Sequence, residues 1–348
     1  MIFMRIYIVS IFTIFLLLSC KKEESIIESE LPTQTLFVVT EDNPNSLQTL
    51  EIPSLKLNSD DAYYLTNGKK LNEINQIVIY RNLMFIFQSK SFKITICTYD
   101  SLRFVSELDW SSDSRIPSSI AFPNATTGFV SFANDTTLEV LDLSNFQIAR
   151  RIKTPAPVIH LECIDYYVIG ISLKPSKLFV FDSRTYSLVK QVDMPDYPID
   201  ISIHPLKESI FVLCLGKGRV DSTEAKTPAK LAVISYPNFD VSLTKEIGIS
   251  NVSALDLLTN GIEVAGRYFG FISSDNGLIR FSVTNPDQMQ KYIAGAFFGL
   301  SYNYKIDQIM AVEKKSPNMF ILYLLNPVNA SIQGKYVLNF PVRLLLPR

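Results

Sequence analysis

The chain has 348 residues, with 33 Lys+Arg against 34 Asp+Glu and a formal net charge of −1. So even a balance gives no basic field, which excludes nucleic acid as the main partner. Two histidines leave little room for histidine-rich metal chemistry, and four cysteines, one of them at position 20, supply no even disulfide framework for the body of the chain.

The N-terminus carries one cation, Arg5, then Ile6–Leu18, apolar apart from Ser10 and Thr13, and closes on Leu17-Leu18-Ser19-Cys20. A cationic start, a short apolar stretch and a small residue before the cut make a secretory signal. The stretch falls short of the roughly 20 residues needed to cross a bilayer. Leu-Leu-Ser-Cys resembles the bacterial lipobox. That resemblance implies that residues 1–19 are removed and that Cys20 carries a diacylglycerol holding the mature protein on a membrane. The alternative is an ordinary signal or anchor helix with an incidental cysteine.

Lys21-Lys22-Glu23-Glu24 lacks the aspartate that the lipobox resemblance associates with inner-membrane retention. It reads either as a short lysine-plus-acid signal for export to the cell surface or as a solvated charged tether. The expected address is the outer membrane, surface-exposed, with its periplasmic face as the alternative. Residues 20–35 are polar and carry Pro32, so a disordered tether is expected there.

From residue 36 onward no helical periodicity is sustained. Short runs rich in Val, Ile, Phe and Tyr alternate with Asp, Asn, Pro, Ser and Gly clusters, the pattern of an all-β domain. One unit recurs, an apolar run ending in a turn residue. It starts weakly at Leu47, then at Phe92 (FKITICTYD), Leu138 (LEVLDLSN), Leu178 (LFVFDSRT), Leu231 (LAVISYPN), Leu278 (LIRFSVTNP) and Met319 (MFILYLLNP). Spacings of about 40–50 residues, with four short strands per unit, predict the blades of a propeller. The expected inner strands are Ile74–Ile79, Ser118–Phe122, Val158–Glu162, Ile199–Ile203, Val252–Leu257, Phe297–Ser301 and Val342–Leu346. Leu36–Val39 reads as a second strand with no inner strand before it, and Val342–Leu346 as an inner strand with no second strand after it. Pairing the two would close a seven-bladed ring spanning residues 36–348 and bury its edges. Two stacked sandwiches are the alternative, but they predict no such complementary ends. Cys97, Cys163 and Cys214 lie in apolar runs and are expected to act as small buried hydrophobes.

The units Leu138–Val158 and Leu178–Ile203 resemble the YncE-like, or YVTN, propeller repeat, in which an Asp-ending strand, a valine-rich strand and a Pro-bearing loop recur. Asn67–Asn75 (NGKKLNEIN) resembles the Asn-Gly segment of a lipoprotein subgroup of that family. Leu206-Lys207-Glu208 departs from it, standing where Asp-Gly is usual. Some members of the subgroup capture cobalamin for a TonB-dependent outer-membrane transporter. The resemblance therefore implies a binding protein with a corrinoid-like small ligand, such a transporter as partner, and no cofactor. Fold alone does not carry function.

No nucleophile elbow, phosphate-binding loop, dinucleotide fingerprint or zinc spacing is present. His204-Pro205 reads as a structural turn, and Asp60-Asp61 as a solvated loop. His160 and Glu162 share one side of an inner strand, as a channel-lining acid–base pair or a packed polar pair. With Asp200 and Asp256, Glu162 is a candidate ligand set for a metal-assisted lactonase-type hydrolase, the enzymatic alternative; an envelope scaffold is a third reading. Binding is expected on the face that gathers the loops after outer strands and after second strands. Trp110, Arg115, Tyr197, Phe297 and Phe298 fall in the first group and Arg219 in the second, within the long insertion Gly216–Ala229. These six are the candidate ligand-binding residues. Asp100-Ser101-Leu102, Asp135-Thr136-Thr137 and Asp221-Ser222-Thr223, all at expected turns, match an O-glycosylation motif of some Gram-negative envelopes, where about one match would arise by chance.

Overall fold

The computed structural model describes residues 33–347 apart from 249–251 and 304–305. The signal segment, Cys20 and most of the expected tether lie outside the described residues. Within the described residues every strand belongs to one of seven four-stranded antiparallel sheets. Blade 1 joins Val342–Pro347 to Gln34–Thr40, Gln48–Ile52 and Lys56–Asn58; blade 2 starts at Gln76, blade 3 at Pro117, blade 4 at His160, blade 5 at Pro198, blade 6 at Thr259 and blade 7 at Ala296. The two chain ends share blade 1, with Leu36 opposite Pro347 and Val39 opposite Leu344. The ring of blades is thus a closed propeller rather than two sandwiches.

The middle strands of each blade are covered on both faces and read as continuous apolar runs, such as Leu178–Phe181 and Phe211–Leu213, all fully buried. Outer strands have one wet face, and Ser187–Asp193 accordingly alternates between exposed and partly buried residues. The turn residue that ends each repeat unit has a defined task. Asp142 Oδ1 accepts from Ser144 N, Asp182 Oδ1 from Arg184 N and Asn326 Oδ1 from Val328 N, all at 2.8 Å. The same residues' carbonyls accept from Phe146, Tyr186 and Ala330, which take positive φ (58°, 62° and 61°). Each hairpin is followed by a bulge that adds twist to the blade.

An inner strand is an edge strand of its own blade, so its outward N–H and C=O groups need partners. Side chains of neighbouring inner strands supply them. Ser119 Oγ accepts from Leu161 N (3.0 Å), Asp200 Oδ2 from Ile262 N (2.9 Å) and Ser202 Oγ from Val264 N (2.8 Å), while Asn260 Nδ2 donates to Phe297 O (2.7 Å).

Six inner strands lie within two residues of their expected starts. The sixth does not: Thr259–Glu263 (TNGIE) takes the place expected for Val252–Leu257. The apolar residues of that earlier run pack elsewhere, Leu257 in the core between blades 5 and 6, and the polar strand is held by the Asp200 and Ser202 contacts. A second difference is the helix Ala62–Asn67, too short to show periodicity. Asp61, expected as a solvated loop residue, is its N-cap and accepts from Tyr63 N and Tyr64 N at 3.1 Å; Gly68 closes it at φ 65°, a conformation suited to glycine. Cys97 and Cys214 are buried free thiols and Cys163 is half-buried, also free.

A latched cleft on the entrance face

The loops after outer strands and after second strands meet on one face. There, over blades 3 to 5, lies a cleft of about 560 Å³. Its floor and sides are Ala133, Pro157, Ile159, Ser172, Leu173, Lys174 and Tyr197, and its remaining wall is Val220–Ser222. That wall belongs to the strap between Cys214 and Lys230.

The strap leaves the blade at Gly216, whose φ is 82° and where a Cβ would stand 2.2 Å from Thr227 O, so only glycine lets the two limbs of the strap approach so closely. Glu224 latches it to the propeller body: Tyr197 Oη donates to Oε2 at 2.6 Å, and Lys174 Nζ lies 3.0 Å from Oε1. Lys174 also sits 5.2 Å from the centre of the Tyr197 ring. The Tyr197 hydroxyl and Glu224 beside it hold the Lys174 ammonium above its ordinary range, while the Tyr197 hydroxyl and Lys174 hold the Glu224 carboxyl below its own. Farther along, Thr227 Oγ1 donates to Asp196 Oδ2 (3.0 Å). On the opposite flank Arg219 donates to the carbonyls of Leu255 (2.5 Å) and Leu257 (2.9 Å), and Lys226 pairs with Asp256 (3.3 Å). A charged surface loop is thereby ordered across three blades.

Of the six residues expected to bind, Tyr197 alone lines the cleft. It is buried, with φ 56°, a backbone conformation uncommon for tyrosine. Arg219 acts on the strap's far side and positions it. The other four do not line the cleft. Trp110 and Arg115 are 4 % and 6 % exposed and serve the core: Trp110 Nε1 and Arg115 Nη1 both donate to the fully buried Glu139 at 2.8 Å. Phe297 and Phe298 lie within the inner strand of blade 7 rather than in a loop; Phe297 is fully buried against Tyr323, and Phe298 meets Phe320 edge-on at 5.4 Å.

The central channel carries the second candidate group. His160 lies 3.7 Å from Glu162, on the same side of its own inner strand as expected, and 3.3 Å from Asp200 on the next inner strand. Asp256 is not among them; it pairs with Lys226 on the strap. Glu263, on the strand the sequence reading displaced, takes its place. Desolvation, then the Asp200 and Glu162 charges, push its carboxyl up to about 8. Burial works against a charged His160, yet Glu162 and Asp200 outweigh it and raise its pKa. Among the described residues no three His, Cys, Asp or Glu side chains converge as a metal-ligand set. His204 lies buried in the expected turn on the opposite face, its Nδ1 3.8 Å from Glu208.

No protein-family model and no curated protein matches the sequence. Among solved structures the fold is similar to the Pan2 WD40 domain of Neurospora crassa, at 11 % identity and TM-score 0.61 over 91 % of each chain. It is also similar to Kuenenia stuttgartiensis hydrazine synthase, with 11 % identity and TM-score 0.60 over 79 % of this chain and 86 % of that one. The computationally designed Ika8 protein matches at 10 % identity and TM-score 0.59 over 84 % and 81 %. Similarity at this level establishes the propeller fold alone.

Proposed function

We propose that this chain is a binding protein of the cell envelope, YncE-like in descent, anchored through a lipid on Cys20. In this reading it takes up a small ligand in the entrance-face cleft for delivery to a TonB-dependent outer-membrane transporter. The observation that carries the binding reading is the cleft itself. Its volume of about 560 Å³ suits a small molecule, its walls are mostly apolar, and a few polar groups converge on it through the Lys174–Glu224–Tyr197 latch. The lipid anchor rests on Leu17-Leu18-Ser19-Cys20, and the delivery role on the resemblance of the repeats.

Titration calorimetry of the full chain against corrinoids and glycans tests the binding step. A saturable heat with one class, weakened about tenfold or more by Tyr197→Ala, is expected from the loss of a buried aromatic contact. No heat with either class, together with unchanged ligand uptake by cells carrying a cleft-filling Val220→Trp chain, would leave the scaffold reading in its place. Incorporation of radiolabelled fatty acid into the wild-type chain but not into Cys20→Ala tests the anchor.

A further inference from the structure

We propose that the cleft selects molecules joining an apolar body to an ammonium group. This deepens the binding reading above, on which it rests, by assigning the charge of the ligand. Pro157, Ile159, Leu173 and Val220 give the cleft apolar walls, and Val220 is 53 % exposed, an apolar surface that a ligand would cover.

The charged groups at the cleft decide the rest. The Lys174 ammonium is committed to Glu224 at 3.0 Å and to the Tyr197 ring, and the Tyr197 hydroxyl is committed to Glu224. Asp221 Oδ1 accepts from Thr223 N and Oγ1, but its Oδ2 stands 3.8 Å from Lys174, beyond hydrogen-bond reach. Lys174 is thus shared between two carboxylates, Glu224 at 3.0 Å and Asp221 at 3.8 Å, which leaves this trio one negative charge in excess, with Asp221 the more weakly paired of the two and lining the cleft. An anionic ligand would meet that excess without a free cation to receive it. An ammonium would pair with Asp221 instead.

The channel beneath has the same sign. The described inner strands carry Glu162 and Asp200, with Glu263 largely protonated beside them at neutral pH and His160 between the first two. Their one Lys or Arg is Arg343, already paired with Glu73 at 2.7 Å. Even with His160 charged, Glu162 and Asp200 together leave these channel groups one negative charge in excess, the sign that favours a cation.

Calorimetry of the full chain with phenethylamine, phenethyl alcohol and phenylacetate separates the two levels of the reading. The amine is expected to bind about fivefold tighter than the alcohol, as one partly exposed ion pair allows, and phenylacetate weakest. Added salt should weaken the amine and leave the alcohol unchanged. Asp221→Asn should abolish the amine's advantage while the alcohol's affinity stays the same. Equal binding of all three, or an amine preference that survives Asp221→Asn, would overturn the charge assignment and leave a cleft that binds by shape. Failure of all three to bind while a corrinoid or glycan still gives saturable heat would overturn the charge assignment alone, and failure of every one of these molecules would overturn both.

Discussion

Trp110 Nε1 donates to Glu139 Oε2 at 2.8 Å, joining the loop between blades 2 and 3 to the third strand of blade 3. The same carboxylate accepts from Arg115 Nη1 and Arg151 Nε at 2.8 Å each, and Arg115 lies over the Phe132 ring. A fully buried acid is thus matched by two guanidiniums and an indole. Breaking a buried pair on one side leaves the partner charge stranded, which costs far more than the intact pair contributes.

Glu139→Ala should therefore destabilise the fold by about 3–5 kcal/mol. Glu139→Gln, which can still accept from the indole, should cost less. Because Trp110 is the chain's one tryptophan, its fluorescence reads both the denaturation midpoint and local loosening in the same experiment. An alanine variant as stable as the wild type would show that the cluster is solvated and contributes little.

Ring closure makes a second prediction. Residues Val342–Pro347 are the inner strand of blade 1, and removing them exposes an edge of Gln34–Thr40 and opens the ring between blades 7 and 2. Truncation before Val342 should abolish cooperative thermal unfolding and produce aggregates on gel filtration, since an apolar edge strand becomes a template. A truncated chain that stays monomeric with an unchanged melting temperature would mean that the terminal pairing is dispensable.

Much of this architecture was legible because the repeat is enforced by local chemistry. Asp142, Asp182 and Asn326 end their strands with the same side-chain-to-backbone bond, so the turn residue recurs in the sequence wherever the hairpin recurs in space. Thr259–Glu263 was hidden for the opposite reason. Its stability comes from Asp200 and Ser202, about 60 residues away, and nothing within TNGIE announces a strand. Trp110 was misplaced because its chain neighbours Asp109, Ser111 and Asp113 are polar, while the partner that buries it comes from another strand. The signal that could have found it was Glu139, an acid flanked by Leu138 and Val140 inside an otherwise apolar run that ends at the turn residue Asp142. For the cleft, Tyr197 and the strap could be read from loop order, but the convergence of Lys174, Asp221 and Glu224 is a three-dimensional fact.

Glu263 sets a pH dependence. Its carboxyl is raised from 4.5 to about 8, so between these values the folded chain holds a proton that the unfolded chain has released. Stability must then fall as pH rises through that window and level off above it. Glu263→Gln removes this contribution to the slope and leaves that of His160, whose raised pKa acts in the same direction. The variant's melting temperature should match the wild type near pH 5 and exceed it progressively toward pH 8. Parallel melting curves for the two chains across that range would place Glu263 in water rather than in a desolvated channel.

The strap offers the most direct test of the latch. Glu224 receives both Tyr197 and Lys174, whereas Arg219 and Lys226 hold the other flank against the Leu255–Leu257 segment. Glu224→Ala releases one side only, and the core beneath is untouched, so the global melting temperature should barely move. Local opening should rise instead, because a surface loop held by few contacts opens independently of the domain. Lys217, Arg219 and Lys226 place trypsin sites within the strap itself. Limited digestion of Glu224→Ala should cut there severalfold faster than in the wild type, with fragments mapping to those three positions. Tyr197→Phe, which deletes one of the two latch bonds and keeps the ring that lines the cleft, should fall between them. Equal cleavage rates in all three chains would show that the latch is dispensable and that the Asp196 contacts and the Arg219 flank hold the strap without it.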